Sequence, residues 1–383
     1  MTSAEIIAIG TEILLGEIVD TNTRYLARVL RGLGVNLHRT TTIGDNVERI
    51  AEAIQNSMQR ADIVITTGGL GPTVDDPTRE AVAKAVGVET EFREDLWLQV
   101  VAIIERYGRR AISENQKRQA YVPKGAIGLP NPVGTAPCFI VENPLPSGEG
   151  RVRAIISLPG VPAEMEHVLH ESVVPYLQKK FNLNEIIKVR VLHCAGLGEG
   201  MIDEKIADLE TLANPTVGLA AHTGVVDVRI AAKAQSENEA DALIAEIEAQ
   251  VRERLGAVVF GVDEDKLEEV TLDLIAKRGW TLIALESDLD GNLARKIPRV
   301  ELRSGLNPVA LMESLREARS AARAELALGV ALYPADRAAE MALITPRGEK
   351  TQRITYGGSP KSLPLWATNL ALNWLRMTVA EMD

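Results

Sequence analysis

Three times in its first ninety residues the chain runs a short apolar stretch into a glycine-bearing turn and then into a helical pattern. AEIIAI (4–9) is short, apolar and closed by Gly10, which reads as a buried strand. Asp20 or Thr21 then caps a helix whose Leu26, Val29, Leu30 and Leu33 keep the 3.6-residue period, with Gly34 ending it. A second strand, over 35–42, leads to Asp45 and Glu48 in capping-box spacing, ahead of a helix with Ile50, Ile54 and Met58 on one face. The third strand, ADIVITT (61–67), enters GGLGP; Asp76 and Pro77 then have the form of an N-cap and first helical position, with Gly87 as the stop. Strands and helices alternating at these lengths predict an α/β fold, a parallel sheet with helices on both faces.

Beyond about residue 105 the texture changes. Residues 121–162 are rich in Pro and Gly, including NPLPSGEG and SLPGVP, and predict long loops over a short hairpin, followed by a helix over 163–180. A small α+β unit follows: IIKVRVLHCA as a strand, a helix around 199–212, VVDVRIAAKA as a strand, a long helix over 236–255 and a last strand at AVVFG. GVDEDK (261–266) reads as a linker to a third unit. A chain of 383 residues exceeds one ordinary core, and the expected domains are 1–172, 185–260 and 266–383.

The glycine loop carries the strongest chemical signal. Gly68, Gly69 and Gly71 follow a buried strand and precede a helix, where side-chain-free backbone lets amides approach a phosphate at the helix's positive end. A tight turn that needs glycine for positive φ would explain the glycines alone. Thr73, Asp75 and Asp76 tip the reading, because carboxylates beside a phosphate repel it unless a cation lies between, and Mg²⁺-like ions take one or two carboxylates plus phosphate oxygens. Asp45 also follows a strand end, so it is placed on the same rim; capping and metal binding are compatible roles for one carboxylate. Glu12, Asp20, Thr21 and Asn22 offer polar groups around an apolar stretch, suited to a base or ribose or to plain helix capping.

Other features carry less. His167 and His170 have the spacing of metal ligands but lack a third partner, and read as surface residues. Cys138 lacks a local base, and two separated cysteines give no disulfide framework, which fits a reducing, cytoplasmic setting. A formal net charge of -11 argues against nucleic-acid and membrane-surface partners, and no apolar run is long enough for a membrane span. The six arginines from Arg295 to Arg323 interleave with glutamates as a solvated face.

IGTEILLGEIVDTN, TTGGLGPTVDDPTRE, the N-x-x-x-Q of ENQKRQAYVPKGA, NPVGTAP and LPGVPAEM, in that order, resemble the CinA family. Its first domain is similar to the molybdopterin-binding domains of molybdenum-cofactor enzymes such as MoaB and MogA, a three-layer α/β fold, and its middle domain is KH-like. The resemblance implies metal-dependent hydrolysis of the ADP-ribose pyrophosphate to AMP and ribose 5-phosphate, with Mg²⁺, Mn²⁺ or Co²⁺, K⁺ as an additional ion, and a homodimer. Carried over by motif, Asp45 and Asp76 hold or orient the metal and Gly68, Gly69 and Gly71 cradle phosphate. Glu12, Asp20, Asn22, Thr73, Asn115, Gln119, Gly134 and Thr135 line the nucleotide site. Cys138 stands where the family tends to have glycine, and adds bulk at the expected pocket edge.

The third unit departs from the family's NMN amidohydrolase-like domain. LESDLDGN (285–292) replaces an AESCTGG stretch, keeping Glu286, Ser287 and Gly291 but placing Asp288, Leu289 and Asp290 between them. The Y-[SA]-N-x-x-K segment and the GxAGPxGG loop have no counterpart, and ALYPADRAAEM occupies the latter's place. Without a basic group near Ser287 nothing activates its hydroxyl, which predicts a degenerate, inactive domain. Two other classes fit the first domain less closely: a non-catalytic nucleotide-binding regulator, and a molybdopterin adenylyltransferase, whose loop reads GGTG-x-x-x-RD rather than GGLGPTVDD.

Overall fold

The computed structural model describes residues 2–106, 108, 112–144 and 152–382; most of the NPLPSGEG stretch lies outside them. Two compact units are formed, residues 1–188 with 233–240 and residues 189–232 with 241–383.

The alternation seen in the sequence becomes β1 (Ser3–Ile9), a single turn α1 (Thr11–Leu14), α2 (Thr21–Gly32), β2 (Asn36–Ile43), α3 (Val47–Met58), β3 (Ile63–Thr67) and α4 (Thr78–Val86). There follow β4 (Thr90–Phe92), α5 (Glu94–Arg106), β5 (Tyr121–Pro123), β6 (Ile127–Leu129), β7 (Cys138–Pro144), β8 (Val152–Leu158), α6 (Pro162–Val168) and α7 (Val174–Phe181). The main sheet has the order β2-β1-β3-β8-β7-β6. Strands β2, β1, β3 and β8 are parallel, while β7 and β6 add antiparallel edges. Ile6, Ile7, Ile63, Ile65, Ile155 and Ile156 are buried without exposure, the near-continuous apolar composition that a parallel sheet covered on both faces requires.

The prediction of long loops over a short hairpin in 121–162 is corrected in part: β7 and β8 do pair antiparallel. VRAIISL is β8, an interior strand of the sheet pairing with β3 on one side and β7 on the other. Two helix starts are corrected as well. Asn46, not Asp45, caps α3, accepting from the Arg49 amide, and Glu48 pairs with Lys84 rather than closing a capping box. Pro77 stands at the N-cap position of α4, and Asp76 accepts no hydrogen bond from the helix amides. Asp20 does cap α2, taking the Thr23 amide at 2.9 Å, and Gly87 ends α4 in the left-handed conformation.

A buried carboxylate lies inside this sheet. Glu5 of β1 is 2% exposed and takes two hydrogen bonds from Arg60, at 2.9 and 2.8 Å, and one from Ser57 at 2.7 Å. Burial pushes its carboxyl up, but the Arg60 and Ser57 hydrogen bonds outweigh burial and hold it below the ordinary value of 4.5. A depressed folded-state value means that the ionised form stabilises the fold above the ordinary value, and that this stability is lost as pH falls below it. Glu5→Gln is therefore expected to destabilise by about 1.5–3 kcal/mol at neutral pH. Thermal unfolding of both proteins across pH 3–7 is expected to show the gap closing below about pH 4.5; a pH-independent gap would locate the effect in packing instead.

Residues 186–262 comprise β9 (Ile186–Ala195), α8 (Glu199–Glu210), β10 (Thr216–His222), β11 (Val225–Ala234), α9 (Glu237–Leu255) and β12 (Val259–Val262), with a sheet in the order β10-β11-β9-β12. The sequence reading missed β10, which pairs antiparallel with β11 through a Thr223-Gly224 turn. The expected linker at 261–266 begins inside β12, whose last residues are Gly261 and Val262.

The C-terminal part runs α10 (Leu267–Lys277), β13 (Leu282–Ser287), β14 (Val300–Arg303), α11 (Pro308–Ala322), β15 (Leu326–Tyr333), β16 (Ala338–Thr345), β17 (Gly348–Thr355) and α12 (Leu363–Ala380). Its sheet has the order β14-β13-β15-β16-β17, parallel through β14, β13 and β15 and antiparallel beyond. Among the described residues no helix is long and apolar enough to cross a membrane.

Candidate functional site at the carboxyl edge of the first sheet

Because β1, β2, β3 and β8 are parallel, the segments that leave their C-terminal ends share one edge, the place where α/β sheets bind ligands. Those segments carry Gly10 to Val19, Gly44 to Asn46, Gly68 to Pro77 and Pro159 to Val161. Asp45 and Asp76 therefore sit on the same rim, as the sequence predicted.

The two aspartates are held in the same manner by different threonines. Asp45 Oδ2 accepts from the Thr11 amide at 2.8 Å and the Thr11 hydroxyl at 2.7 Å, tying the β2 end to the turn after β1. Asp76 Oδ2 accepts from the Thr73 amide at 2.9 Å and the Thr73 hydroxyl at 2.6 Å, closing the glycine loop on itself. In each case Oδ2 is committed, and Oδ1 has no protein donor among the described residues. Gly71 lies directly against the Asp76 carboxylate, and any side chain there would displace it.

Thr78, the first residue of α4, bonds back to the loop, its hydroxyl donating to the Gly68 carbonyl at 2.8 Å and its amide to that of Gly69 at 3.3 Å. Arg79 lies beneath, with Nη1 donating to the Gly71 carbonyl at 3.1 Å and Nη2 to that of Leu70. Burial lowers the Arg79 guanidinium to about 10, a shift that the neighbouring Asp76 opposes. The cleft beside the loop, of roughly 380 Å³, is lined by Gly71, Thr73, Asp76 and Arg79 on one side and by Arg118 and Tyr121 on the other.

The other expected site residues are placed as follows. The Glu12 carboxylate curls against Gly10 beside the Asp45–Thr11 contact. Asn22 is 8% exposed and lies under the edge, its Nδ2 donating to the Thr67 hydroxyl at 2.9 Å and the Gly160 carbonyl at 2.8 Å while its Oδ1 is buried without a partner. Asn115 is exposed on the 3₁₀ segment Glu114–Ala120. Gln119 donates to the Thr135 hydroxyl at 3.2 Å, and Gly134 packs against Glu164. None of these lines the cleft that contains Asp76. Cys138 is wholly buried in the core on β7, not at a pocket edge, and burial pushes its thiol far up.

Sequence reasoning overlooked Thr11, Arg79 and Arg118. Arg79 left one trace: an arginine in the first turn of a helix opposes the macrodipole and needs another reason to be there.

In the C-terminal sheet the loop after β13 is closed on itself. Glu286 accepts from the amides of Gly291, Leu293 and Ala294 at 2.6, 2.9 and 3.0 Å. Ser287 has no exposed surface; its hydroxyl donates to Asp288 at 2.8 Å and accepts from the Leu306 amide at 3.3 Å. Asp288 also takes the Gly305 amide, so the substituted carboxylate knits two loops together.

An α/β domain with a glycine loop and two threonine-held aspartates on the carboxyl edge of its parallel strands is of the molybdopterin-binding type. Residues 5–179 match the model of a probable molybdopterin binding domain, and residues 189–261 match that of the damage-inducible protein CinA KH domain. The chain belongs to the CinA family. It is 41% identical over 294 residues to a protein of Halothermothrix orenii named for competence-damage induction, covering 77% of this chain and 69% of that one. A CinA-like protein of Kosmotoga olearia is 42% identical over 298 residues, covering 78% and 70%. The crystal structure of a CinA of unknown function from Thermoplasma acidophilum is similar at 32% identity and a TM-score of 0.39, covering 46% of this chain and 96% of that one.

Proposed function

We propose that the first domain hydrolyses the pyrophosphate bond of ADP-ribose to AMP and ribose 5-phosphate, that the C-terminal domain is catalytically silent, and that the protein acts as a cytoplasmic homodimer. The observation that supports the hydrolase reading is that Asp45, at the end of β2, and Asp76, in the glycine loop, lie on the same carboxyl edge of the sheet. Each carboxylate is fixed by a threonine through one oxygen, and the other has no protein donor among the described residues. Among the described residues no three His, Cys, Asp or Glu side chains gather as a ligand set. The two aspartates alone suit a hard ion such as Mg²⁺, Mn²⁺ or Co²⁺ that takes one or two carboxylates and completes its shell with phosphate oxygens and water. Such an ion supplies charge withdrawal from the leaving phosphate and a lowered pKa for the attacking water.

The loop's role is positional. Gly68, Gly69 and Gly71 bring backbone to the ligand, and Thr78 and Arg79 hold the loop carbonyls from behind; the Gly68 amide is taken by the Leu158 carbonyl, which leaves those of Gly69 and Gly71 for phosphate oxygens. In the reaction, water oxygen bonds to one phosphorus, the bridging P–O bond breaks, and each product keeps one phosphate.

Silence of the C-terminal domain is supported by Ser287, which is buried and hydrogen-bonded to Asp288, with no basic hydrogen-bond partner among the described residues. The test is a product assay of the full chain with ADP-ribose and, separately, NMN, each with Mg²⁺, Mn²⁺ or Co²⁺ and K⁺. AMP and ribose 5-phosphate from ADP-ribose, with NMN unchanged, is the expected result. ADP-ribose bound but intact under every metal would replace the hydrolase with a nucleotide-binding regulator, and deamidation of NMN would overturn the silent domain.

A further inference from the structure

His193, on β9, has an oxygen acceptor at each ring nitrogen. Nδ1 lies 2.7 Å from Asp227 Oδ1 on β11, and Nε2 lies 2.8 Å from the Asp263 carbonyl in the turn after β12. A neutral imidazole carries one N–H, so it satisfies one of these contacts and sets a lone pair against oxygen at the other. Both are satisfied together only with a second proton, as an imidazolium between carbonyl and carboxylate. The ring is sheltered, its side chain 15% exposed and stacked on Phe260 with 5.7 Å between centroids. Asp227 is buried and engaged through both oxygens, since its Oδ2 accepts from His222 Nε2 at 2.9 Å.

The Asp263 carbonyl belongs to the connection that leads from β12 to α10. The Asp263 amide donates to the Val191 carbonyl at 2.9 Å, and its Oδ1 accepts from the Val191 amide at 3.0 Å. Its Oδ2 meets Arg190 Nε at 3.0 Å, and Arg190 also pairs with Glu248 of α9. Asp265 accepts from the Val262 amide at 2.8 Å and closes the turn. Asp227 and His222 thus face the ring from the β10–β11 hairpin, and Asp263 and Asp265 from the turn, with Arg190 on the ring's own strand. Burial works against the charged ring. The Asp263 carbonyl and the Asp227 carboxylate outweigh it, with Asp265 adding, and hold the ring above its ordinary value of 6.5.

We propose that His193 is a proton-held latch on the connection between the KH-like sheet and α10, clamping the Asp263 turn while the ring carries both protons and releasing it when one is lost. The proton that leaves to solvent is the one on Nε2, because the Nδ1–H bond to a carboxylate is the stronger of the two. The Asp263 carbonyl then faces a lone pair, and the turn loosens. A value raised in the fold means that the latch's stability is fully present below 6.5 and is lost as pH rises through the folded-state value. The latch therefore works in the neutral to mildly alkaline range, independently of any chemistry at the carboxyl edge of the first sheet.

The test combines ¹⁵N-histidine spectra of the full chain, which has five imidazoles, with hydrogen exchange of the turn between β12 and α10. The signal missing from His193→Gln identifies His193. Both its ring nitrogens are expected to keep the shifts of a protonated imidazole above pH 6.5. Protection of the turn amides, corrected for the intrinsic pH dependence of exchange, should fall about tenfold as that ring titrates, the effect of losing one hydrogen bond from a charged group. The amides of β1 should keep theirs. In Asp227→Asn the new amide nitrogen can donate to Nδ1 while its oxygen still accepts from His222. A neutral ring then bonds the Asp263 carbonyl, and the turn's protection should no longer change with pH. The titration and exchange of the unmodified chain decide the matter even if Asp227→Asn does not fold. A His193 that titrates at or below 6.5, or turn protection that does not move as it titrates, would overturn the latch. So would the same fall of protection in Asp227→Asn as in the parent.

Discussion

Asp76→Asn is expected to reduce metal-dependent ADP-ribose hydrolysis by about 100-fold or more, roughly 3 kcal/mol of transition-state stabilisation, while the protein stays folded. The substitution conserves shape. An asparagine oxygen can still accept from the Thr73 amide and hydroxyl, which now bond Asp76 Oδ2 at 2.9 and 2.6 Å, so the loop keeps its closure. What disappears is the negative charge at the other oxygen. Because the carboxylate is at the surface of the loop and caps no helix, its loss should leave thermal stability nearly unchanged. Thr73→Val separates holding from charge. It removes one hydrogen bond to Oδ2 but leaves the carboxylate, and should cost roughly tenfold in kcat with KM for metal little altered. The pair is read by initial rates over a metal titration together with far-ultraviolet circular dichroism. Full activity in Asp76→Asn would remove Asp76 from the chemistry and with it the strongest support for the hydrolase reading.

The same residue shows where the sequence could be read and where it could not. The three strand-turn-helix units were legible because their apolar period is local: Leu26 and Leu30, or Ile50 and Ile54, announce a buried face without reference to anything distant. Two helix starts were misassigned because another partner takes the carboxylate. Asp45 and Asp76 look like caps in sequence, yet Thr11, 34 positions away, claims the first and the loop's own Thr73 claims the second. Capping passes to Asn46 in one case and to no side chain in the other. Strand β8 was hidden because proline and glycine on either side of VRAIISL mimic loop composition, while its partners β3 and β7 supply a ladder that composition cannot reveal. Arg79 was invisible for a similar reason. Nothing in TRE says that a helix-start arginine folds back under the preceding glycines. At Ser287 the argument was local, a nucleophile with carboxylates as its sequence neighbours, and its hydroxyl donates to one of them, Asp288.

Gly68→Ala should be the most destabilising single-methyl change on this edge, by about 3 kcal/mol or more. Two costs combine there. Gly68 has φ of 107°, outside the region that alanine adopts, and a Cβ would fall well inside contact distance of the Ile9 carbonyl oxygen. That oxygen cannot retreat easily, because Ile9 ends β1, which is paired to β2 and β3 on its two sides. The Gly68 amide is itself anchored, donating to the Leu158 carbonyl of β8 at 3.0 Å. Gly87→Ala is the matched control. Gly87 also has positive φ, at 73°, but a Cβ there meets nothing, so only the conformational cost of about 1 kcal/mol applies. Urea unfolding gives the two values, and hydrogen exchange of the β1 and β3 amides localises the damage. A large gap between the two variants means that glycine at 68 serves the close approach of the loop to β1, which brings the phosphate-facing backbone onto the sheet edge. Equal values would mean that β1 yields to the added methyl, and that residue 68 is glycine for its backbone angle alone.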